Sequence, residues 1–393
     1  MSRVIYLDYN ATSPVLPEVK EAMIPYFCEK YGNPSSLHRL GRDAKRAVEE
    51  ARESVAKLLG AEPSEIIFTS GGSESDNLAI KGYVESLSEK KNIHIITSAV
   101  EHHAVINTMG HLEDKGLDVS YVGVDEKGRL DIGELTEEIT EDTKIVSIMY
   151  ANNETGTIFD IPKIVEAVRK NGGNQIVFHT DAVQAAGKIP LDVKKQDIDM
   201  LSISGHKIGA PKGIGALYIR KGFMPRPQIH GGHHESNLRA GTENVPGIIG
   251  LGAAARVAMD HMAQNAEKLK NLRDKLEDGI IKTVDHVYIN GDKDNRLPNT
   301  SNMSFEYIEG EGLLLNLDME GIFVSSGSAC TSNDFTISHV LSAMDVDKML
   351  GQGSVRFSLG DQTQEDDIDY VIEKIVPIVS RLRKISPLYP RSS

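Results

Sequence analysis

The amino-acid sequence predicts an α/β protein: a large domain with a mixed, mostly parallel sheet, followed by a smaller C-terminal α+β domain. Short runs rich in β-branched residues alternate with stretches of helical periodicity, and most of these runs are continuously apolar. Continuously apolar strands are typical of sheets that are covered by helices on both faces. The chain has 393 residues, more than one hydrophobic core usually accommodates, which favours two domains.

The predicted elements follow one another in a regular order. The first clear helix is predicted over residues 43–59, where apolar residues repeat on one face and Gly60 follows as a stop signal. Strands are predicted at 66–69, 93–97, 119–122, 144–149, 175–179, 200–203, 215–219, 286–289 and 301–305. Further helices are predicted at 78–87, 161–170, 248–281, 310–319 and 365–383.

The long helical pattern at 248–281 resembles a bridge between two domains. We therefore expect a large domain over residues 1–255 and a small C-terminal domain over residues 256–393. The first ~15 residues could instead pack with the small domain. No internal repeat or low-complexity linker interrupts the chain.

Composition restricts the class of protein. The net charge of −14 argues against direct nucleic-acid binding, and no apolar run is long enough to span a bilayer. The first ten residues lack the apolar core of a secretory signal. Two cysteines, Cys28 and Cys330, cannot form a disulfide framework and suit a reducing compartment. We therefore predict a cytoplasmic protein with no membrane segment.

The residues that follow the predicted strands are the best candidates for a ligand site, because ligands of open α/β sheets bind beyond the carboxyl ends of strands. The strand at 66–69 leads into Ser-Gly-Gly-Ser, residues 70–73, and then a helix. Such a turn can bind a phosphate through backbone N–H groups and the helix dipole. The alternative is an ordinary helix start capped by Ser70 or Ser73.

Two further strand ends carry ionisable residues. Asp181 could cap a helix, or it could pair with the protonated ring nitrogen of pyridoxal 5′-phosphate (PLP), with Gln184 contacting the ring hydroxyl. Lys207 follows Ser204 and His206 in a loop rich in glycine. It could be a solvated surface charge, or an amine whose charge is suppressed for Schiff-base formation.

Two other segments invite chemical interpretation. Cys330 lies in a run of small polar residues, 325–332, which is typical of an exposed loop and not of a packed core; Cys28 is the better candidate for an inert cysteine. Residues 230–235, His-Gly-Gly-His-His-Glu, are rich in histidine, but their spacing and glycines argue against a metal site. We predict no bound metal.

Eight ordered motifs resemble those of the cysteine desulfurases, which belong to the class V aminotransferase group of fold-type I PLP enzymes. The motifs run in order between about Ile5 and Tyr370: TSGGSESDN, EHHAV, ANNETGT, HTDAVQ, SISGHKIGAPKG, RAGTEN, SSGSACTS and VRFSLG. The resemblance implies a homodimer with PLP at the subunit interface, and a mobile loop that bears the sulfur-accepting cysteine.

The resemblance also implies a role for each matching residue. Lys207 would carry PLP and move the proton at the substrate Cα, and His102 would stack on the ring and act as acid or base. Cys330 would accept the sulfur, and Arg356 would bind the substrate carboxylate with help from Asn153. The remaining implied PLP ligands are Gly72, Ser73, Asn153, Asp181, Gln184, Ser204, His206 and, from the neighbouring subunit, Thr242.

The predicted function is therefore conversion of L-cysteine to L-alanine, with sulfur transferred as a persulfide on Cys330. The resemblance implies an iron–sulfur scaffold protein or another sulfur acceptor as partner, with tRNA thiolation as a second destination of the sulfur. Two alternatives stay open at this stage. One is selenocysteine lyase, which uses the same machinery, and the other is a non-catalytic sulfur-carrier scaffold.

Overall fold

A computed structural model describes residues 3–88, 92–326 and 337–390. The strands of these residues are β1 (Ile5–Tyr6), β2 (Ile66–Thr69), β3 (His94–Ser98), β4 (Asp118–Val122), β5 (Thr143–Ser147), β6 (Val177–Asp181), β7 (Met200–Ser204), β8 (Gly215–Ile219), β9 (Val287–Asn290), β10 (Thr300–Phe305), β11 (Ile322–Phe323), β12 (Ser325–Ser326) and β13 (Ser354–Ser358). The α-helices are α1 (Pro17–Met23), α2 (Pro25–Cys28), α3 (Arg39–Leu59), α4 (Gly72–Ser86), α5 (His103–Glu113), α6 (Ile132–Glu138), α7 (Ile161–Gly172), α8 (Val245–Thr283), α9 (Gly310–Met319), α10 (His339–Ala343), α11 (Lys348–Gln352) and α12 (Glu365–Ile385).

The large sheet has the strand order β2-β8-β7-β6-β5-β3-β4 within the described residues. β8 runs antiparallel to both of its neighbours, and the other pairs are parallel. Strands β2, β3, β5, β6, β7 and β8 are almost entirely buried, as continuous apolar runs predict. The predicted mixed, mostly parallel sheet is confirmed, and each strand predicted between residues 66 and 219 is present with its ends shifted by two residues or fewer.

Two helices begin at least four residues earlier than the sequence pattern predicts. α3 begins at Arg39, because the His38 side chain accepts a hydrogen bond from the Gly41 N–H and caps the helix. The predicted start of α4 at residue 78 is wrong, since the helix begins at Gly72. Its first turns are polar and contain Ser73 and Asp76, which line a cavity, so apolar periodicity does not reveal them.

A second sheet, with the order β12-β13-β10-β9, is antiparallel throughout its described strands. It packs on α9, α12 and the second half of α8 around a separate apolar core. Ile5 and Leu7 from the chain start are buried in this same core, and β1 pairs with β11. Shortly after β1, Ser13 donates a hydrogen bond to the backbone oxygen of His206, and the backbone oxygen of Asn10 accepts one from Lys207, so residues near the chain start contact both parts of the molecule. Among the described residues, no helix is both long enough and apolar enough to cross a membrane.

Candidate active site

A cavity of about 260 Å³ lies beyond the carboxyl ends of β6 and β7, next to the start of α4. This is the position that the parallel order of the central strands predicts for a ligand site. Nine of the residues singled out from the sequence line it together: Gly72, Ser73, His102, Asn153, Asp181, Gln184, Ser204, His206 and Lys207. The fold therefore brings together residues that are up to 135 positions apart in the sequence.

The start of α4 presents its first backbone N–H groups at one end of the cavity. The N-cap residue is Gly71, which has no side chain, so the interpretation of Ser70 or Ser73 as the helix cap is wrong. A Cβ atom at Gly72 would lie 2.8 Å from Cγ2 of Val183, so glycine allows the helix start to approach the turn after β6. With the Ser204 hydroxyl nearby, the geometry is that of an anion site at a helix N-terminus.

Asp181 ends β6 and is buried at the cavity. Its Oδ1 accepts a hydrogen bond from the Val183 N–H at 2.9 Å. Burial raises the pKa of Asp181, and the nearby His102, the Val183 N–H and Lys207 oppose that rise. A carboxylate in this setting can hold a proton-bearing nitrogen of a bound heterocycle in its protonated form.

Lys207 lies in a short turn directly after β7. Its Nζ donates hydrogen bonds to the backbone oxygens of Asn10, at 2.5 Å, and Ala11, at 2.8 Å. Burial and the positive charge of Arg356 lower the pKa of Lys207 to about 8, against the effect of Asp181 and Asp8. A substantial fraction of this amine is therefore neutral near pH 7 to 8, as nucleophilic attack on a carbonyl requires.

His102 is the N-cap residue of α5, and its Nδ1 accepts a hydrogen bond from the Ala104 N–H at 3.1 Å. The imidazole is exposed at the cavity, yet desolvation by the surrounding protein lowers its pKa, and the positive charges of Lys207 and His103 act in the same direction against Asp181. A neutral ring results, and its Nε2 remains available to a ligand at neutral pH.

Arg356 lies in β13, next to the cavity and not in its lining. Its Nη1 donates to the backbone oxygen of Asn153 at 3.0 Å, and its Nη2 donates to Oδ1 of Asp8 at 2.8 Å. Within the described part of the chain, Nε of Arg356 and Oδ1 of Asn153 are buried without a hydrogen-bond partner. The ion pair between Arg356 and Asp8 is largely buried.

Thr242, like Arg356, does not line this cavity in the single chain. Thr242 is exposed in the segment before α8. Cys330, the predicted sulfur acceptor, lies outside the described residues. The other cysteine, Cys28, is exposed at the end of α2. In the histidine-rich segment, Glu235 forms a buried ion pair with Arg52 at 2.7 Å.

Several residues of the site were missed by reasoning from the sequence. Asn10 is the most connected of them: its backbone oxygen accepts from Lys207 and Gln184, and its side chain bonds to Thr300 and Asn299. Asp76, which lines the cavity, and Glu101, which is buried beside it, were also missed. The sequence signal that could have revealed Asn10 is the mostly polar run 8–13, which follows β1 and Leu7. β1 itself has only two residues, which is too short for its periodicity to be recognised.

Comparison with known proteins agrees with this geometry. The chain matches the aminotransferase class-V family over residues 5–371. It is 51% identical over 387 residues to a protein named cysteine desulfurase IscS from Dictyoglomus turgidum, covering 98% of this chain and 97% of that protein. The solved structure of a NifS-like protein superimposes with a TM-score of 0.91 at 43% identity, covering 97% of this chain and 100% of the other. A structure described as SspA in complex with cysteine gives a TM-score of 0.80 at 39% identity, covering 91% and 99%.

The fold and the arrangement of lysine, aspartate and helix N-terminus thus define a class V aminotransferase. Within that class, the chain belongs to the cysteine desulfurase family.

Proposed function

We propose that the protein is a PLP-dependent cysteine desulfurase that converts L-cysteine to L-alanine and delivers the sulfur for iron–sulfur cluster assembly, with tRNA thiolation as a second destination. The observation that carries the proposal is the cavity itself. It joins a lysine of suppressed pKa, a buried aspartate and an uncapped helix start in a chain that is 51% identical to a named cysteine desulfurase.

The residues present fit PLP at both of its ends. The N–H groups at the start of α4, with the side chains of Ser73, Ser204 and His206, would hold the phosphate. Asp181 would pair with the ring nitrogen, and the buried Oδ1 of Asn153, which has no hydrogen-bond partner among the described residues, offers an acceptor in the cavity. Gln184 would contact the ring oxygen and His102 the ring face.

Once bound, PLP supplies an electron sink that makes the substrate Cα–H acidic. Lys207 would hold the cofactor through its amine and would move the proton at the substrate Cα. Its lowered pKa suits both tasks, because the neutral amine is the nucleophile and the base. Asp181 would keep the ring nitrogen protonated, and His102 would stack on the ring and serve as acid or base.

Arg356 would bind the substrate α-carboxylate. Its Nη1 and Nη2 atoms already donate hydrogen bonds to Asn153 and Asp8, whereas its buried Nε has no partner among the described residues. A carboxylate that accepts from this face would satisfy a buried donor, which otherwise costs free energy. The related protein described in complex with cysteine supports an amino-acid substrate of this kind.

Cys330 would accept the sulfur. In the net step, L-cysteine and the Cys330 thiol become L-alanine and a Cys330 persulfide: the substrate C–S bond breaks, an S–S bond forms, and a proton is delivered to the carbon. Thiolate is the attacking species, so the Cys330 thiol must lose its proton before it attacks the substrate sulfur. An acceptor such as an iron–sulfur scaffold protein would then take the sulfur from Cys330.

The proposed assembly is a cytoplasmic homodimer. Thr242 is exposed on the single chain, which suits a residue that completes the phosphate site of a neighbouring subunit. Large exposed apolar side chains near the chain start, including Phe27, Tyr31 and Leu37, suit burial against a second copy. The proposed division remains a large domain over 1–255 and a small domain over 256–393.

The experiment is to compare alanine and sulfide production by the wild type with three single variants. Cys330→Ala should abolish sulfide release, and Lys207→Ala should abolish both turnover and the visible absorption of covalently bound PLP. Cys28→Ala is the matched control and should retain both. Full cysteine turnover by Cys330→Ala would rule out the persulfide route.

A further inference from the structure

A second lysine, Lys188, adjoins the proposed cofactor site without lining its cavity. Gln184, one turn before it, lines the active-site cavity, whereas Lys188 lines a neighbouring cavity between α8 and the small sheet region. The two side chains meet, because Nζ of Lys188 donates to Oε1 of Gln184 at 2.9 Å. The proposed mechanism gives Lys188 no task, so its contact with Gln184 requires a separate explanation.

The amide of Gln184 is held at both of its atoms. Its Oε1 accepts from Lys188, and its Nε2 donates to the backbone oxygen of Asn10 at 3.0 Å. The side chain is buried, so neither contact is readily exchanged for water. An amide nitrogen carries two hydrogens, and the contact with Asn10 uses one of them. The second N–H is the group that Gln184 can offer to a ligand.

The opposite orientation of the amide is unfavourable for two reasons. A flip would bring the Gln184 N–H groups against the Lys188 amine, which in its charged form has donors only. It would also bring the Gln184 carbonyl oxygen against the carbonyl oxygen of Asn10, so that two acceptors would face each other. Lys188 in its charged form and Asn10 therefore select the same orientation independently, and loss of either partner weakens the selection.

Lys188 is itself fixed in place. Its Nζ also donates to Oδ1 of Asn10 at 3.4 Å, and Asn10 is anchored in turn by Thr300 and Asn299. Burial, with the positive charges of Lys207 and Arg356, lowers the pKa of Lys188 to about 7. Its amine has a hydrogen for Oε1 of Gln184 in either protonation state, so the contact persists across neutral pH.

We propose that Lys188 is a positioning residue that orients the Gln184 amide so that an N–H group, and not the carbonyl oxygen, faces the ring oxygen of the cofactor. This inference rests on the proposed function, in which Gln184 contacts that oxygen. An N–H donor stabilises the ionised ring oxygen, whereas a carbonyl oxygen would destabilise it. Lys188 thereby lowers the pKa of the ring oxygen of the bound cofactor, compared with a protein in which the Gln184 amide is free to flip.

The test uses the holoenzyme without substrate and follows its visible absorption band as a function of pH. Lys188→Met removes the donor and keeps the length of the side chain, so the midpoint of the titration should rise by about one pH unit. Lys188→Arg keeps a donor and should stay near the wild-type midpoint. Lys195→Met is the matched control, because Lys195 is an exposed lysine of the same segment that pairs with Asp192.

An unchanged midpoint in Lys188→Met would overturn the inference, as would equal shifts in Lys188→Met and Lys188→Arg. If Lys188→Met does not fold, Lys188→Gln decides: its amide is one atom too short to reach Gln184, so a wild-type midpoint would overturn the inference. A wild type with no visible band after addition of PLP would contradict the proposed function instead. The two failures are therefore distinguishable.

Discussion

Replacing Arg356 with glutamine should slow the covalent attachment of PLP to Lys207 at neutral pH. The positive charge of Arg356 is, after burial, the main cause that lowers the pKa of Lys207 to about 8. The substitution removes this charge and also leaves Asp8, which raises the same pKa, without its ion-pair partner. Both changes favour the charged amine, so the pKa of Lys207 should rise.

The size of the effect follows from the fraction of neutral amine. An amine with a pKa of about 8 is about one-tenth neutral at pH 7, whereas an unperturbed lysine with a pKa of about 10.4 is neutral in fewer than about one molecule in a thousand. A rise of one unit in the pKa of Lys207 would lower the attachment rate at pH 7 about tenfold. At a pH well above both values, wild type and variant should react at similar rates.

The assay is reconstitution of the apoenzyme with PLP, followed by visible absorption at a series of pH values. The wild-type rate should increase with pH, reach half of its maximum near pH 8 and level off about one to two units higher, and the Arg356→Gln profile should be displaced to higher pH. Arg46→Gln provides the control, since Arg46 is an exposed arginine paired with Asp43. A variant profile that coincides with that of the wild type, or lies at lower pH, would refute the electrostatic reasoning.

Two further predictions concern stability. Glu101 is fully buried, and burial is the main cause that raises its pKa to about 8. The folded state therefore keeps a proton on Glu101 that the unfolded state releases above about pH 4.3. The free energy of unfolding should accordingly fall as the pH rises towards 8, by up to about 1.4 kcal/mol per pH unit. Glu101→Gln should remove this part of the slope in urea denaturation at pH 5.5 and 8, and an unaltered slope would contradict the assignment. Arg296 and Glu277 form a buried, bidentate ion pair at 2.6 Å, so Arg296→Met should lower the free energy of unfolding by about 3–5 kcal/mol. The double variant with Glu277→Met should recover much of that loss, and a single variant as stable as the wild type would show that the pair is energetically neutral.

The sequence predicted the central strands well because most of them are buried on both faces, so that each appears as a continuous apolar run. It predicted the start of α4 poorly, because its first turns face the cavity and are polar. The sequence also could not predict that β8 runs antiparallel to its neighbours, since an apolar run carries no information about strand direction.

The site was predictable where its residues follow strands in recognisable motifs, as Asp181 and Lys207 do. The residues that connect these motifs were not. Arg356 pairs with Asp8 across 348 positions, and Asn10 joins Lys207 to Thr300. Such contacts depend on how the chain start lies between the two sheets, and no local pattern encodes that position.

The most direct test of the proposed function is mass spectrometry of the protein after incubation with L-cysteine. We expect one added sulfur atom on the peptide that contains Cys330, removable by a thiol reductant, and none on the peptide that contains Cys28. The Lys207→Ala variant should acquire no sulfur under the same conditions. Sulfur on Cys28 alone, or unmodified Cys330 in an enzyme that produces alanine from cysteine, would contradict sulfur transfer through a Cys330 persulfide.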